Sequence, residues 1–197
     1  MGSPNFNLTE WVRKTWYIQE QQIVDYQPLS SFYCVAATYN LEGKTVPFFD
    51  GQVVTVYNYA NKDEVNGPLQ NANNMTLCAR AVDSTDSSKL AVAPCFLPNI
   101  LAGPYWVLGI GHDEKAPGEY AWAVVIGGQP TVHWADGCTT KEQGTNGAGL
   151  WLFTRNPVAS NAQLVAMHAV LNKQGIATSR LHRVAQDGCV YEDALIK

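Results

Sequence analysis

Eight short segments rich in β-branched and aromatic residues follow one another with no helical pattern between them, and this most restricts the folds open to the chain. They are residues 16–22, 32–41, 52–59, 76–82, 90–96, 105–110, 120–126 and 150–154, separated by Gly, Pro, Asn, Asp and Ser. Turn chemistry such as Leu41-Glu42-Gly43-Lys44 and Asp83-Ser84-Thr85-Asp86-Ser87-Ser88 sends the chain back on itself, so successive strands are expected to pair antiparallel. A βαβ arrangement is disfavoured. Such a meander leaves two unpaired edges unless it closes, and eight strands close around an interior wide enough for one small ligand. The expectation is an all-β fold: an eight-stranded up-and-down antiparallel barrel.

One helix follows the last strand. Ser160-Asn161-Ala162-Gln163 has the form of a capping box, Leu164, Met167, His168 and Leu171 recur on one face, and Gly175 offers a left-handed exit. That face belongs against the outside of the barrel. An extended piece, 180–184, then leads to Cys189 and a polar tail, 190–197.

Alternation sorts inner from outer positions. Tyr33, Val35, Ala37 and Tyr39 share one face; Leu77, Ala79 and Ala81 alternate with Cys78 and Arg80; Leu90, Val92 and Phe96 alternate with Lys89, Ala91 and Cys95. Small residues at inner positions favour a hollow barrel over a solid one. The expected ligand-lining set is Tyr33, Val35, Tyr39, Val56, Leu77, Ala79, Leu90, Val92, Phe96, Tyr105 and Tyr120. Segments 52–59, 105–110 and 120–126 carry apolar residues on both faces, which leaves their inner sets ambiguous.

Composition narrows the function. The 197 residues suit one domain, with 1–5 read as a tag or disordered start, and 46% hydrophobic against 15% charged residues places the chain among globular proteins. A net charge of −4 without a Lys/Arg cluster argues against nucleic acid, and no apolar run is long enough for a spanning helix. The cysteines at 34, 78, 95, 138 and 189 lack zinc-site spacing, so no metal is expected. Asn7 and Asn74 begin N-x-T sequons, a short pattern of little weight. No nucleophile elbow occurs, and His112, His133, His168 and His182 are dispersed over loop, loop, helix and tail. His112-Asp113-Glu114 reads as a polar turn, and His168 as a helix residue covering the wall. Tyr39, Tyr57, Tyr105 and Tyr120 read as pocket lining for a ligand's polar end.

Three stretches carry a family resemblance. Lys14-Thr15-Trp16-Tyr17 at the first strand, Gly118 to Val124 (GEYAWAV) near the seventh, and Leu150 to Pro157 (LWLFTRNP) at the eighth resemble, in type, order and spacing, the three sequence regions that mark the lipocalins. The resemblance runs from about Phe6 to Cys189. It implies that Trp16 plugs the closed end of the barrel and that Arg155 packs across it, structurally rather than catalytically. It also implies a bridge from Cys34 to Cys189. Cys78 and Cys95 flank a hairpin almost symmetrically and are expected as the second bridge, with Cys138 as a competing partner and one thiol left free. Lys14 stands where lipocalins carry a glycine, and residues 13–18 (RKTWYI) resemble instead the lipocalin domain of violaxanthin de-epoxidase and its algal and plant relatives. That enzyme's flanking Cys-rich and Glu-rich segments are not in this chain.

The resemblance implies binding, transport or sequestration of a small hydrophobic ligand: a fatty acid or other lipid, a carotenoid, a retinoid-like terpenoid or a tetrapyrrole. No obligatory cofactor is implied. An alternative is an enzyme of the same fold acting on a carotenoid or lipid epoxide, with Asp25 or a tyrosine as acid; a third reading is a barrel filled by its own side chains that acts through its loops. Disulfides place the chain in a secretory space or a thylakoid lumen rather than the cytosol.

Overall fold

The computed structural model describes Ser3 and residues 6–70, 76–144 and 146–197. A short helix, α1 (Leu8–Trp11), precedes seven strands that pair in sequence order: β1 (Trp16–Gln22), β2 (Tyr33–Asn40), β3 (Val53–Asn61), β4 (Leu77–Ala81), β5 (Lys89–Pro94), β6 (Gly103–His112) and β7 (Tyr120–Ile126). A separate hairpin, β8 (Val132–Trp134) with β9 (Gly137–Thr139), interrupts the long connection that follows. Then β10 (Leu150–Thr154) pairs with β7 on one side and β1 on the other, and this closes an eight-stranded antiparallel barrel. β11 (Leu181–Arg183) adds to the second half of β1. Residues 1, 2, 4 and 5 of the expected tag, and the sequon residue Asn74, lie outside the described residues. Asn7, in the other sequon, caps α1 by accepting the N–H groups of Thr9 and Glu10.

α2 (Asn161–Lys173) packs on the outside. Its capping box is complete, with Gln163 N donating to Ser160 Oγ and the glutamine side chain accepting from Ser160 N. Met167 and Leu171 close over the outer residues Leu108, Val124, Ile126, Leu150 and Leu152. This resolves the ambiguity of β6 and β7, which are apolar on both faces because one face lines the barrel and the other lies under the helix. On β3, Val54 and Val56 face inward while Tyr57 and Tyr59 alternate outward, so Tyr57 is wall surface and not pocket lining. The tail lies against this wall: Tyr191 packs on Tyr17 and Tyr59 with ring centroids 5.0 and 6.1 Å apart.

Alternation is interrupted by bulges. The ladder slips between Ile18 and Glu20, Tyr33 and Ala36, Val107 and Gly109, and Gly111 and His112. At the second of these Cys34 takes a left-handed conformation with φ 53°, which re-aims the chain between Tyr33 and Val35. Two bridges are present, Cys34–Cys189 and Cys78–Cys95, and Cys138 is free.

Candidate functional site

The barrel has two unlike ends. β1 begins and β10 finishes at one of them, and there the lumen is sealed. Trp16 is fully buried, its indole Nε1 donates to Trp11 O at 3.0 Å, and the Trp11 and Trp16 rings sit 4.6 Å apart with Phe153 and Phe6 beside them. The Arg155 guanidinium lies over the Trp16 ring, with Cζ 3.6 Å from the ring centroid. Its N–H groups donate to the carbonyls of Glu10, Trp11, Lys14 and Thr15, which holds α1 across the opening. Burial draws this guanidinium down to about 9, against the pull of Glu10, and it stays charged at neutral pH.

Glu10 ties the same helix to β7 by accepting from Arg13 and from Tyr120 N–H. Burial opposes its ionisation, but those donors outweigh it and hold the carboxyl below its usual range. Tyr120 itself lies here, under Phe6, accepting from Asn7 N–H at 2.7 Å.

The other end is reached by the connections after β1, β3, β5 and β7. Leu77 opens β4, Val92 faces the first residue of β6, Tyr105 follows it, and Trp151 is near the start of β10. All four pack against the inner cluster, yet all four keep partial exposure, whereas Val35, Val56, Ala79 and Leu90 are closed off around them. Tyr105 and Trp151 stack at 6.3 Å. Deeper in, the hydroxyls of Tyr39 and Tyr105 bond to each other at 2.8 Å, and burial pushes both well above the ordinary phenol range. Inward aromatic and aliphatic side chains thus meet solvent at this end, with the paired hydroxyls below them.

Three expected lining residues are elsewhere: Tyr120 packs under Phe6 at the sealed end, and Phe96 and Tyr33 lie outside the lumen. β5 ends at Pro94, and Phe96 stands beyond it on the connection to β6 with 72% of its surface exposed. Alternation cannot be carried past the end of the strand. Tyr33 precedes the bulge at Cys34 and is outside the inner cluster, because the slipped register breaks its parity with Val35. Asp25 is no cavity acid: it is exposed at the rim, where Oδ2 accepts from Gly144 N–H at 2.8 Å.

The histidines sit on regular elements rather than on loops or tail, save that His168 is on its helix as expected. His112 ends β6 against Tyr120; His133 lies on β8, 3.6 Å from Cys138 Sγ; His168 meets Glu20 at 2.7 Å across the wall; His182 is on β11. They do not converge, and among the described residues no three His, Cys, Asp or Glu side chains gather as metal ligands. A surface cleft of about 320 Å³ between the β8–β9 hairpin and Arg180 is outside the barrel.

Two residues of this end were not singled out from the sequence. Arg80 is fully buried with no acidic partner among the described residues, and donates to the carbonyls of Cys78, Ala93, Pro94 and Leu97. With the Cys78–Cys95 bridge it fixes the connection after β5, which holds Phe96, Ile100 and Leu101 out in solvent. Gln21 is fully buried too, and neither end of its amide has a hydrogen-bond partner among the described residues. An unmet buried polar group costs about 1–3 kcal/mol. Alternation from the inward Trp16 and Ile18 makes Gln21 outward, and the bulge at 18–20, which reverses that parity, has no signal in the sequence.

No protein-family model and no curated protein sequence matches the chain. Solved structures do. Lobster apocrustacyanin A1 superposes with a TM-score of 0.60 at 14% identity, covering 95% of this chain and 84% of that one. Insecticyanin from the tobacco hornworm gives 0.54 at 14% identity, over 93% and 82%. The siderocalin Ex-FABP gives 0.51 at 12% identity, over 91% and 96%. These are lipocalin-fold proteins, and the likeness establishes the fold.

Proposed function

We propose that this protein binds a small hydrophobic molecule in the open half of its barrel and carries or sequesters it. One observation carries the reading: Leu77, Val92, Tyr105 and Trp151 face inward and remain partly exposed in a barrel whose other end is sealed. Covering about 500 Å² of hydrocarbon contributes roughly 12 kcal/mol, and a loss of about 4 kcal/mol on association to a preformed site leaves about 8 kcal/mol, which is micromolar affinity. A siderocalin of this fold is described as acting through dual ligand specificities, so the scaffold is compatible with more than one ligand type.

The lining set proposed for this chain is Val35, Tyr39, Val56, Leu77, Ala79, Leu90, Val92, Tyr105 and Trp151. Its aromatic content favours a planar or polyene ligand such as a carotenoid, a retinoid-like terpenoid or a tetrapyrrole over a saturated lipid. The likeness of residues 13–18 to the lipocalin domain of violaxanthin de-epoxidase points the same way. Two bridges suit an oxidising compartment, a secretory space or a thylakoid lumen.

Native mass spectrometry and absorbance of the protein purified from its own source should reveal a co-purified lipid or chromophore. With recombinant protein, the neutral probe N-phenyl-1-naphthylamine should bind and quench Trp151, and Val92→Trp should weaken it about tenfold or more by filling the open half of the barrel. If no hydrophobic probe is taken up, the barrel is filled by its own side chains and the reading falls.

A further inference from the structure

We infer that the ligand carries a neutral group able both to donate and to accept a hydrogen bond, a hydroxyl or an amide-type group, and that the Gln21 side chain receives it. The inference rests on the barrel-binding reading and assigns the chemistry of the ligand's polar end.

Gln21 belongs to the inner face. It is paired in the ladders with Trp151 of β10 and His182 of β11, and ladder partners share a face. Trp151 packs on the inner cluster, and His182 meets the inner residue Phe32 edge-on, with ring centroids 6.4 Å apart. Glu20, one residue earlier, points the other way to His168 of α2.

The neighbouring glutamines show what a merely structural amide does here. Gln19 donates to the carbonyls of Tyr17 and Pro157 and accepts from Ala159 N–H. Gln22 donates to the carbonyls of Thr140 and Lys141 and accepts from the hydroxyls of Thr139 and Thr140. Gln186 donates to the carbonyls of Ile18 and Val35 and accepts from Tyr191. All three are used at both ends of the amide. Gln21, as buried as any of them, is used at neither among the described residues, though a leucine would fill its place with no such cost.

Charge fixes the class of group. A primary amide offers N–H donors and a carbonyl acceptor side by side, so the group that satisfies it must both accept and donate. A carboxylate cannot donate, and it would need a buried counter-charge. The Arg155 guanidinium lies over Trp16 at the opposite, sealed end with its terminal nitrogens on four carbonyls, and that of Arg80 gives its terminal nitrogens to four carbonyls of the outer wall. Only the Nε of each is without a partner among the described residues, and neither cation is placed at Gln21. The Tyr39 and Tyr105 hydroxyls already pair with each other. A neutral alcohol or amide therefore fits, and an ionised fatty acid does not. Because the amide is enclosed in this conformation, the ligand reaches it by displacing side chains around it, and Trp151 on the neighbouring strand reports the event.

Three probes of one skeleton test this: retinol, retinyl acetate and retinoate, titrated at pH 7.5 against wild type and Gln21→Leu by quenching of tryptophan emission. Wild type should bind retinol about tenfold more tightly than retinoate, with retinyl acetate between them. Gln21→Leu should fold, with unchanged or raised Tm, should bind the acetate at least as well as wild type, and should lose the preference for the alcohol. Equal or tighter binding of retinoate by wild type, or a preference for the alcohol that survives in Gln21→Leu, overturns the role of Gln21 and leaves the barrel reading standing. If none of the three binds either protein, the barrel reading itself fails and this inference with it.

Discussion

The sealed end and the mouth of this barrel are held by different chemistry. At the sealed end the inside is full: Trp11 and Trp16 are wholly buried, and a guanidinium laid over the indole spends its N–H groups on carbonyls of the segment that closes the opening. At the mouth the inward residues are left partly uncovered. Both bridges are attached there, Cys34 near the start of β2 and Cys95 at the base of the connection after β5, with Arg80 pinning the same connection from outside. Packing in the lumen stabilises one end. At the other, where a filled lumen would exclude a ligand, cross-links and hydrogen bonds outside the lumen take its place.

The strongest way to break this comparison is to remove the cross-links. Cys34→Ser with Cys189→Ser opens a link across 155 positions, and Cys78→Ser with Cys95→Ser one across 17; the chain-entropy account gives losses of about 5 and about 3 kcal/mol. Urea unfolding measures both. Hydrogen exchange on the folded variants should show early opening in β2 and around the connection after β5, while β1 and β10 near Arg155 stay protected. Opening that begins at the sealed end would show that the two ends do not divide the work in this way.

A smaller loss, about 3 kcal/mol, is expected for Arg155→Ala, which removes the stacked cation and leaves buried carbonyls without donors. Arg155→Lys should recover less than half of it, since an ammonium cannot lie flat on the indole and reach four carbonyls together. Binding of N-phenyl-1-naphthylamine at the mouth should change less than twofold in either variant at temperatures where both are folded. A parallel loss of affinity would mean that the plug shapes the mouth as well as closing the other end.

The barrel was legible because β-branched runs, short turns and the absence of intervening helices leave few alternatives, and the Trp16–Arg155 contact was legible from the ordered stretches that carry those residues. What escaped did so for local reasons. Bulges at Gln19 and Cys34 shift parity by one, which concealed the inward turn of Gln21 and misplaced Tyr33. Pro94 ends β5, so counting by twos to Phe96 followed a strand that no longer existed. The four-residue α1 and the three-residue strands of the β8–β9 hairpin are too short for periodicity to reveal. Arg80 looked like an outward charge in water, and only the bend of the chain after β5 encloses it.

The smallest effect expected concerns the boundary between the two ends, the paired hydroxyls of Tyr39 and Tyr105. Burial keeps both protonated in the folded barrel well above the pH at which they ionise in the unfolded chain. Their contribution is fully present below about pH 10, the free tyrosine value, and declines as the unfolded chain sheds those protons above it. Arg155 works in the opposite direction over the same range, because its lowered pKa lets the folded state release a proton that the unfolded state keeps. The pair is therefore read by difference: urea midpoints at pH 8 and pH 10.5 for wild type and for Tyr39→Phe with Tyr105→Phe, in which Arg155 is common to both. The double variant should lose less stability between the two pH values than wild type, by about 1 kcal/mol, a discount from full burial that allows for water reaching Tyr105 through the mouth. An identical pH slope in the two proteins would mean that solvent enters as far as the pair, and the line between filled and open barrel would then lie closer to Trp16.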